Sequence, residues 1–177
     1  MRRTIITSAV VPPEALAELK QWLGISVAAD DAPLTRAVAM ALEACEGFTG
    51  HMPLVQTCEE ALVAQGGWQV LATRSVSAVL AVKRVDGTPL AAETFAIELD
   101  GDRTARVRLF GPHAARATVR FTAGLAATWQ DLPESLRHGV IRLAAHQHRE
   151  REGPGAAPLP PASVVALWRP WRRMRLA

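Results

Sequence analysis

Apolar residues recur at helical spacing in three stretches of the chain. In "VPPEALAELKQWLGI" Leu16, Leu19 and Leu23 share a face, two prolines precede the first turn and Gly24 stands where the pattern stops, which predicts an amphipathic helix over about 12–24. A second helix is expected over 31–48, with Pro33 in its first turn, Leu34, Val38, Ala41, Leu42 and Cys45 on one stripe, and "GFTG" at its end. Asp30 and Asp31 at its start read as caps facing the positive end of the helix dipole rather than as metal ligands. A third helix is expected over 133–151: Pro133 suits its first turn, Leu136, Val140, Leu143 and Ala144 form its stripe, and Gly153-Pro154 closes it.

Between the second and third helices the period changes from helical to alternating. From about 55 to 124 short runs rich in Val and Thr are separated by turn residues, which predicts an antiparallel β module inserted between helices. Asp86-Gly87 and Asp100-Gly101 are hairpin signals, because Gly and Asp tolerate positive φ. Val107 and Leu109 alternate with Arg106 and Arg108, and Val119 and Phe121 flank Arg120, so one sheet face should be buried and the other wet. The fold class that follows is α+β, a small helical bundle with an inserted β module. Residues 1–153 are expected to form a single domain, and 154–177 a Pro-rich linker and C-terminal arm.

Composition changes this picture little. At 177 residues, 49% of them apolar and 21% charged, the chain fits one ordinary globular domain with a real core. The uncharged stretches end before the roughly 20 apolar residues of a membrane span, and "MRRTIITSAVVPPE" lacks an apolar segment long enough for a signal peptide, so synthesis in the cytoplasm is expected. Cys45 and Cys58 make neither a zinc site nor a disulfide framework and read as buried thiols.

Charge is more informative in its distribution than in its sum. The chain carries +3, but Arg169, Arg172, Arg173 and Arg175 fall in the last nine residues without an acid, which leaves the rest near −1. Trp168 and Trp171 lie among them, and Trp and Arg together are typical interface anchors. The arm is therefore read as reaching for another protein; folding back on its own body, nucleic acid and an anionic membrane surface are the alternatives. Pro170 limits any helix in it to a short turn near Ser163–Leu167.

No catalytic constellation emerges. There is no phosphate-cradling glycine loop, no Gly-x-Ser-x-Gly elbow and no tyrosine. His138, His146 and His148 fall on the third helix, but residues two apart on a helix point about 200° apart, so His146 and His148 do not share a metal. No cofactor and no metal site is expected. The sheet arginines Arg106, Arg108 and Arg120 could meet a polyanion, although solvated outer-face charge explains them as well.

Taken in order, "LAELKQWLGI", "DDAPLTRAVAMALEACEGFTG", "VSAVLAVKRVDGTPL", "VRFTAGLA", "LPESLRHGVIRLAAHQHRERE" and the closing "LWRPWRRMRLA" resemble the head–tail connector, or adaptor, proteins of long-tailed phages and phage-like gene transfer agents. The sequence departs from that pattern at "LATRSVSAV", which lacks a proline common before the strand, and at His146-Gln147-His148, where an aromatic is common. The resemblance implies a non-enzymatic structural protein. It would form a ring of twelve copies in the particle neck, between the portal protein and a tail-side connector or stopper, completing the head around a passage for DNA after assembly in the bacterial host cytoplasm. It further implies that the arm, from Trp168, Arg169, Trp171, Arg172, Arg173, Met174, Arg175 and Leu176, reaches the portal. Arg106, Arg108 and Arg120 would then be channel-facing, touching passing DNA without sequence preference. The alternative is a DNA-binding accessory protein using the arm and the same three arginines. On the adaptor reading, deleting the last ten residues should leave the body folded.

Overall fold

The computed structural model describes residues 3–63, 66–110, 116–150 and 160–172. In chain order the elements are β1 (Arg3–Thr7), α1 (Pro13–Leu23), α2 (Asp31–Thr49), β2 (Gln56–Val63), β3 (Gln69–Val70), β4 (Val76–Arg84), β5 (Phe95–Leu99), β6 (Ala105–Leu109), β7 (Arg116–Ala123), α3 (Glu134–Glu150) and α4 (Ala162–Trp168). The class is α+β. The backbone forms two compact units, Met1–Ala9 with Val55–Leu125 and Val10–Leu54 with Ala126–Ala177. The first of them takes in β1. This strand precedes the first helix yet pairs with β2, so the sheet draws its first strand from outside the expected insertion.

In the helical unit α2 packs on α1, α3 and α4. Gly24 and Gly50 end α1 and α2 at φ 72° and 76°, a left-handed conformation that costs a residue with a Cβ. Most of the expected stripes are found, with Leu34, Val38, Ala41 and Cys45 of α2, Leu19 of α1 and Leu136, Val140, Leu143 and Ala144 of α3 buried, while Leu16, Leu23 and Leu42 are half-buried. Asp30 does not cap α2 through its side chain. The chain enters α2 from a 3₁₀ turn, Ala28–Asp30, so Asp30 already has helical φ and ψ and lacks the extended backbone from which a cap reaches the first amides. Asp31 instead accepts from Lys20 Nζ at 2.5 Å, and the same ammonium donates to the Val27 carbonyl at 3.0 Å, tying the α1–α2 connection. Glu18 of α1 accepts from the indole of buried Trp129 at 2.8 Å and lies 3.6 Å from Arg137 of α3.

Burial pushes the Cys45 thiol up to about 12; the Thr49 hydroxyl opposes the shift and Glu46 adds to it. Iodoacetamide is therefore expected to leave Cys45 unmodified at pH 8 until the protein unfolds. The unfolded thiol ionises near 9.0 while the folded one keeps its proton, so its contribution to stability is full below pH 9 and declines as pH rises toward 12. Melts at pH 8 and pH 10.5 should differ less in Cys45→Ala than in the parent. An equal difference in both would refute this.

The β unit contains a four-stranded sheet, β1-β2-β7-β4, and a three-stranded sheet, β3-β6-β5, with the named strand pairs antiparallel. Alternation is as expected: Val107, Leu109, Val119 and Phe121 are buried, while Arg106 and Arg108 are exposed. The two turn signals behave differently from the expectation. Asp86-Gly87 reverses the chain with Gly87 at φ 88°, but the return is a single Lys83–Pro89 bridge, flanked by Arg84 N–H to Thr88 O at 2.8 Å and Leu90 N–H to Val82 O at 2.9 Å. The β5–β6 hairpin does form, yet its left-handed residue is Arg103 at φ 60° rather than Gly101. The loop is longer than a two-residue turn and closes on itself, Asp100 N–H to Thr104 O at 3.0 Å and Arg103 N–H to Asp100 O at 2.8 Å.

Candidate functional site

The C-terminal segment is built from a short helix and a 3₁₀ turn. Pro161 is extended at φ −52° and ψ 148°, and its carbonyl accepts from Val164 and Val165 at 2.8 and 3.0 Å, which starts α4. Val164 and Trp168 lie four apart, on one face, and both are fully buried. Pro170 follows within the 3₁₀ turn Arg169–Trp171, as its missing N–H requires.

Trp168 departs from the expectation of an indole kept for a partner. It is 0% exposed, and its N–H donates to the Leu136 carbonyl of α3 at 3.3 Å. The ring lies over Gly139: a Cβ there would fall 2.1 Å from the indole nitrogen and 2.8 Å from two ring carbons. Phe48 of α2 meets it at a centroid distance of 6.0 Å, tilted by 47°. One 3₁₀ turn later the Trp171 indole donates to Ser135 Oγ at 2.9 Å, and the Arg172 guanidinium sits 5.5 Å from the Phe48 ring centroid. The physical reason is area: a fully buried indole gains several kcal/mol, roughly, over a solvated one, and Gly139 leaves room for it.

What stays outside is the charge. Arg169, Pro170 and Arg172 are exposed and Trp171 is half-buried. Among the described residues neither Arg169 nor Arg172 pairs with a carboxylate. Arg173, Met174, Arg175 and Leu176 lie outside the described residues, as does most of the Pro-rich linker, including Pro154 and Pro158.

The three sheet arginines do not share one sheet. Arg106 and Arg108 belong to β6 in the three-stranded sheet and Arg120 to β7 in the four-stranded one. Arg106 pairs with Asp100 at 3.0 Å, Arg120 with Glu59 at 2.6 Å, and Arg108 stacks over Phe110 at 5.3 Å. The histidines are likewise dispersed. His138 meets the edge of Trp22 at 5.3 Å, His146 pairs with Glu150 at 3.0 Å one turn on, and His148 has a buried Nδ1 without a partner among the described residues. Among the described residues no three His, Cys, Asp or Glu side chains come together as metal ligands, and no helix is long and apolar enough to cross a membrane.

One buried polar centre is absent from the sequence reading. Glu60 of β2 is 0% exposed, and its carboxylate accepts from the backbone N–H groups of Ala72 and Thr73 at 2.8 and 2.7 Å and from the Thr73 hydroxyl. The alternation Cys58, Glu60, Leu62 places it on the buried face, which is the signal that could have found it.

No family model matches the chain, and no curated protein does. Solved structures do match, over its whole length. A chain from the neck of an empty gene transfer agent particle, computed with C6 symmetry, is 30% identical with a TM-score of 0.78. A chain from the virion of a native gene transfer agent particle is 30% identical at 0.76, and one from the neck of a native particle, computed with C12 symmetry, is 31% identical at 0.76. Each alignment covers 100% of this chain and 98% of the other.

Proposed function

Because the chain belongs to the head–tail connector family of long-tailed phages and phage-like gene transfer agents, we propose that it joins the portal to the tail-side proteins as a ring of twelve copies. It is a structural component of the particle neck and not an enzyme. The observation that carries the finer reading is the whole-chain likeness to a neck chain from a particle treated with C12 symmetry. Head-to-tail contacts between identical subunits close into a ring when the rotation between neighbours divides the circle, and a ring leaves an axial passage suited to DNA. Its two faces would meet the portal and a tail-side stopper.

The C-terminal segment is the portal-reaching element of this proposal. Arg169 and Arg172 are exposed and pair with no carboxylate among the described residues, and Arg173, Met174, Arg175 and Leu176 extend the same basic, partly apolar pattern. Twelve such tips acting together give a strong joint from individually weak contacts. Trp168 supports this role differently from the sequence expectation, as the root of the segment within its own unit. Arg106, Arg108 and Arg120 would meet passing DNA only through its phosphates. Two of them already hold acids, which weakens the accessory DNA-binding alternative.

Purified portal rings provide the test. The full chain should cosediment with them and appear as twelve copies in averaged images of the complex. A chain ending at Arg172 should keep its fold and bind at least about tenfold more weakly. Undiminished binding by that truncation would refute portal engagement by the tip.

A further inference from the structure

A docked segment can hold its free end in one place or merely tether it, and the contacts on α3 separate these cases. Trp168 and Trp171 each donate through the indole nitrogen to α3, to the Leu136 carbonyl and to Ser135 Oγ. One anchor fixes a position and still allows rotation; two, separated along the chain, also fix a direction. Phe48 adds a third point, since Trp168 and Arg172 both pack against its ring. The whole arrangement depends on Gly139, because any side chain there would occupy the space of the Trp168 pyrrole ring.

We propose that Gly139 and its neighbours form an indole-reading notch that aims the C-terminal tip, so that α3 sets where and in which direction the tip meets its partner. This rests on the portal reading above and adds a positioning residue to it. With the root seated, the tip comprises the five residues beyond Arg172, which span at most about 17 Å. Seating the root next to the tip shortens the tether of each tip and raises its effective concentration at the docking position. Around a ring the effect multiplies.

The test uses full-length protein with purified portal rings. Gly139→Ala should expose the bond after Trp171 to chymotrypsin and weaken portal association by about tenfold, while the far-ultraviolet helical signal persists. Combining it with Trp168→Leu, which removes the ring that the new Cβ strikes, should restore both protection and association in part. Such pair-specific rescue is not expected if Gly139 matters only to the general packing of α3. The notch is overturned if Gly139→Ala keeps the bond protected and binds normally, if the segment is released without loss of association, or if the second substitution rescues neither property. These outcomes stand apart from the portal reading, which falls if the full parent chain does not cosediment with portal rings.

Discussion

Trp168→Ala is expected to lower the stability of the helical unit by about 3–5 kcal/mol, the range for truncating a fully buried aromatic side chain. Its indole is entirely out of solvent, is hydrogen-bonded to α3 and touches Phe48 of α2, so its removal leaves a cavity between elements that pack directly on each other. Trp171→Ala should cost less, about 1–2 kcal/mol, because that ring is half-buried and its hydrogen bond goes to a partly exposed hydroxyl. Urea unfolding followed by circular dichroism would rank the two. Equal stability of Trp168→Ala and the parent would mean that α4 is not part of the folded unit. The ranking also revises the expectation that the last ten residues can be deleted without harm. A chain stopping before Trp168 loses a core residue, whereas one stopping at Arg172 does not, and only the second separates docking from folding.

The sequence reads well where the chemistry is local. The three helix ranges fall within a residue or so of the observed bounds, because Pro12, Pro13 and Pro133 mark starts and Gly24 and Gly50 mark stops through their own backbone restrictions. The exposed and buried faces of β6 and β7 follow from alternation alone. Features that need a distant partner are not legible in this way. "RTIIT" carries no turn signal and becomes β1 only because β2 offers it an edge. A docked tail and a free one share the same pattern of Trp, Arg and Pro; the receptor for Trp168 is Gly139, 29 residues earlier, and its effect is the space left by a missing side chain. That glycine, isolated in a strong helical stripe, is the clue available in the sequence, since such a residue costs a helix about 1 kcal/mol and calls for a packing reason. The arginines show the same limit. Their spacing gives the face they occupy, but not that Asp100 and Glu59 meet two of them.

Glu60→Ala should destabilise the β unit by about 3–5 kcal/mol, an effect comparable to losing Trp168 but of polar origin. The carboxylate collects three donors from the two residues Ala72 and Thr73, and it joins β2 of the four-stranded sheet to the segment that follows β3 of the three-stranded one. Removing it leaves two backbone N–H groups facing an apolar cavity, and each buried donor without a partner costs about 1–3 kcal/mol. Glu60→Gln keeps the shape but turns an NH₂ group toward donors, so roughly half of the loss should remain. Thr73→Val deletes only the hydroxyl and should cost about 1 kcal/mol. Amide hydrogen exchange supplies the local readout: in Glu60→Ala the Ala72 and Thr73 amides should exchange faster than those at the centre of β7, such as Val119. If both amides remain protected and the unfolding midpoint is unchanged, the carboxylate does not hold the two sheets together. If the order is Ala, then Gln, then Val in decreasing effect, the β unit depends on a buried charge that its sequence presents as one more polar residue in a strand.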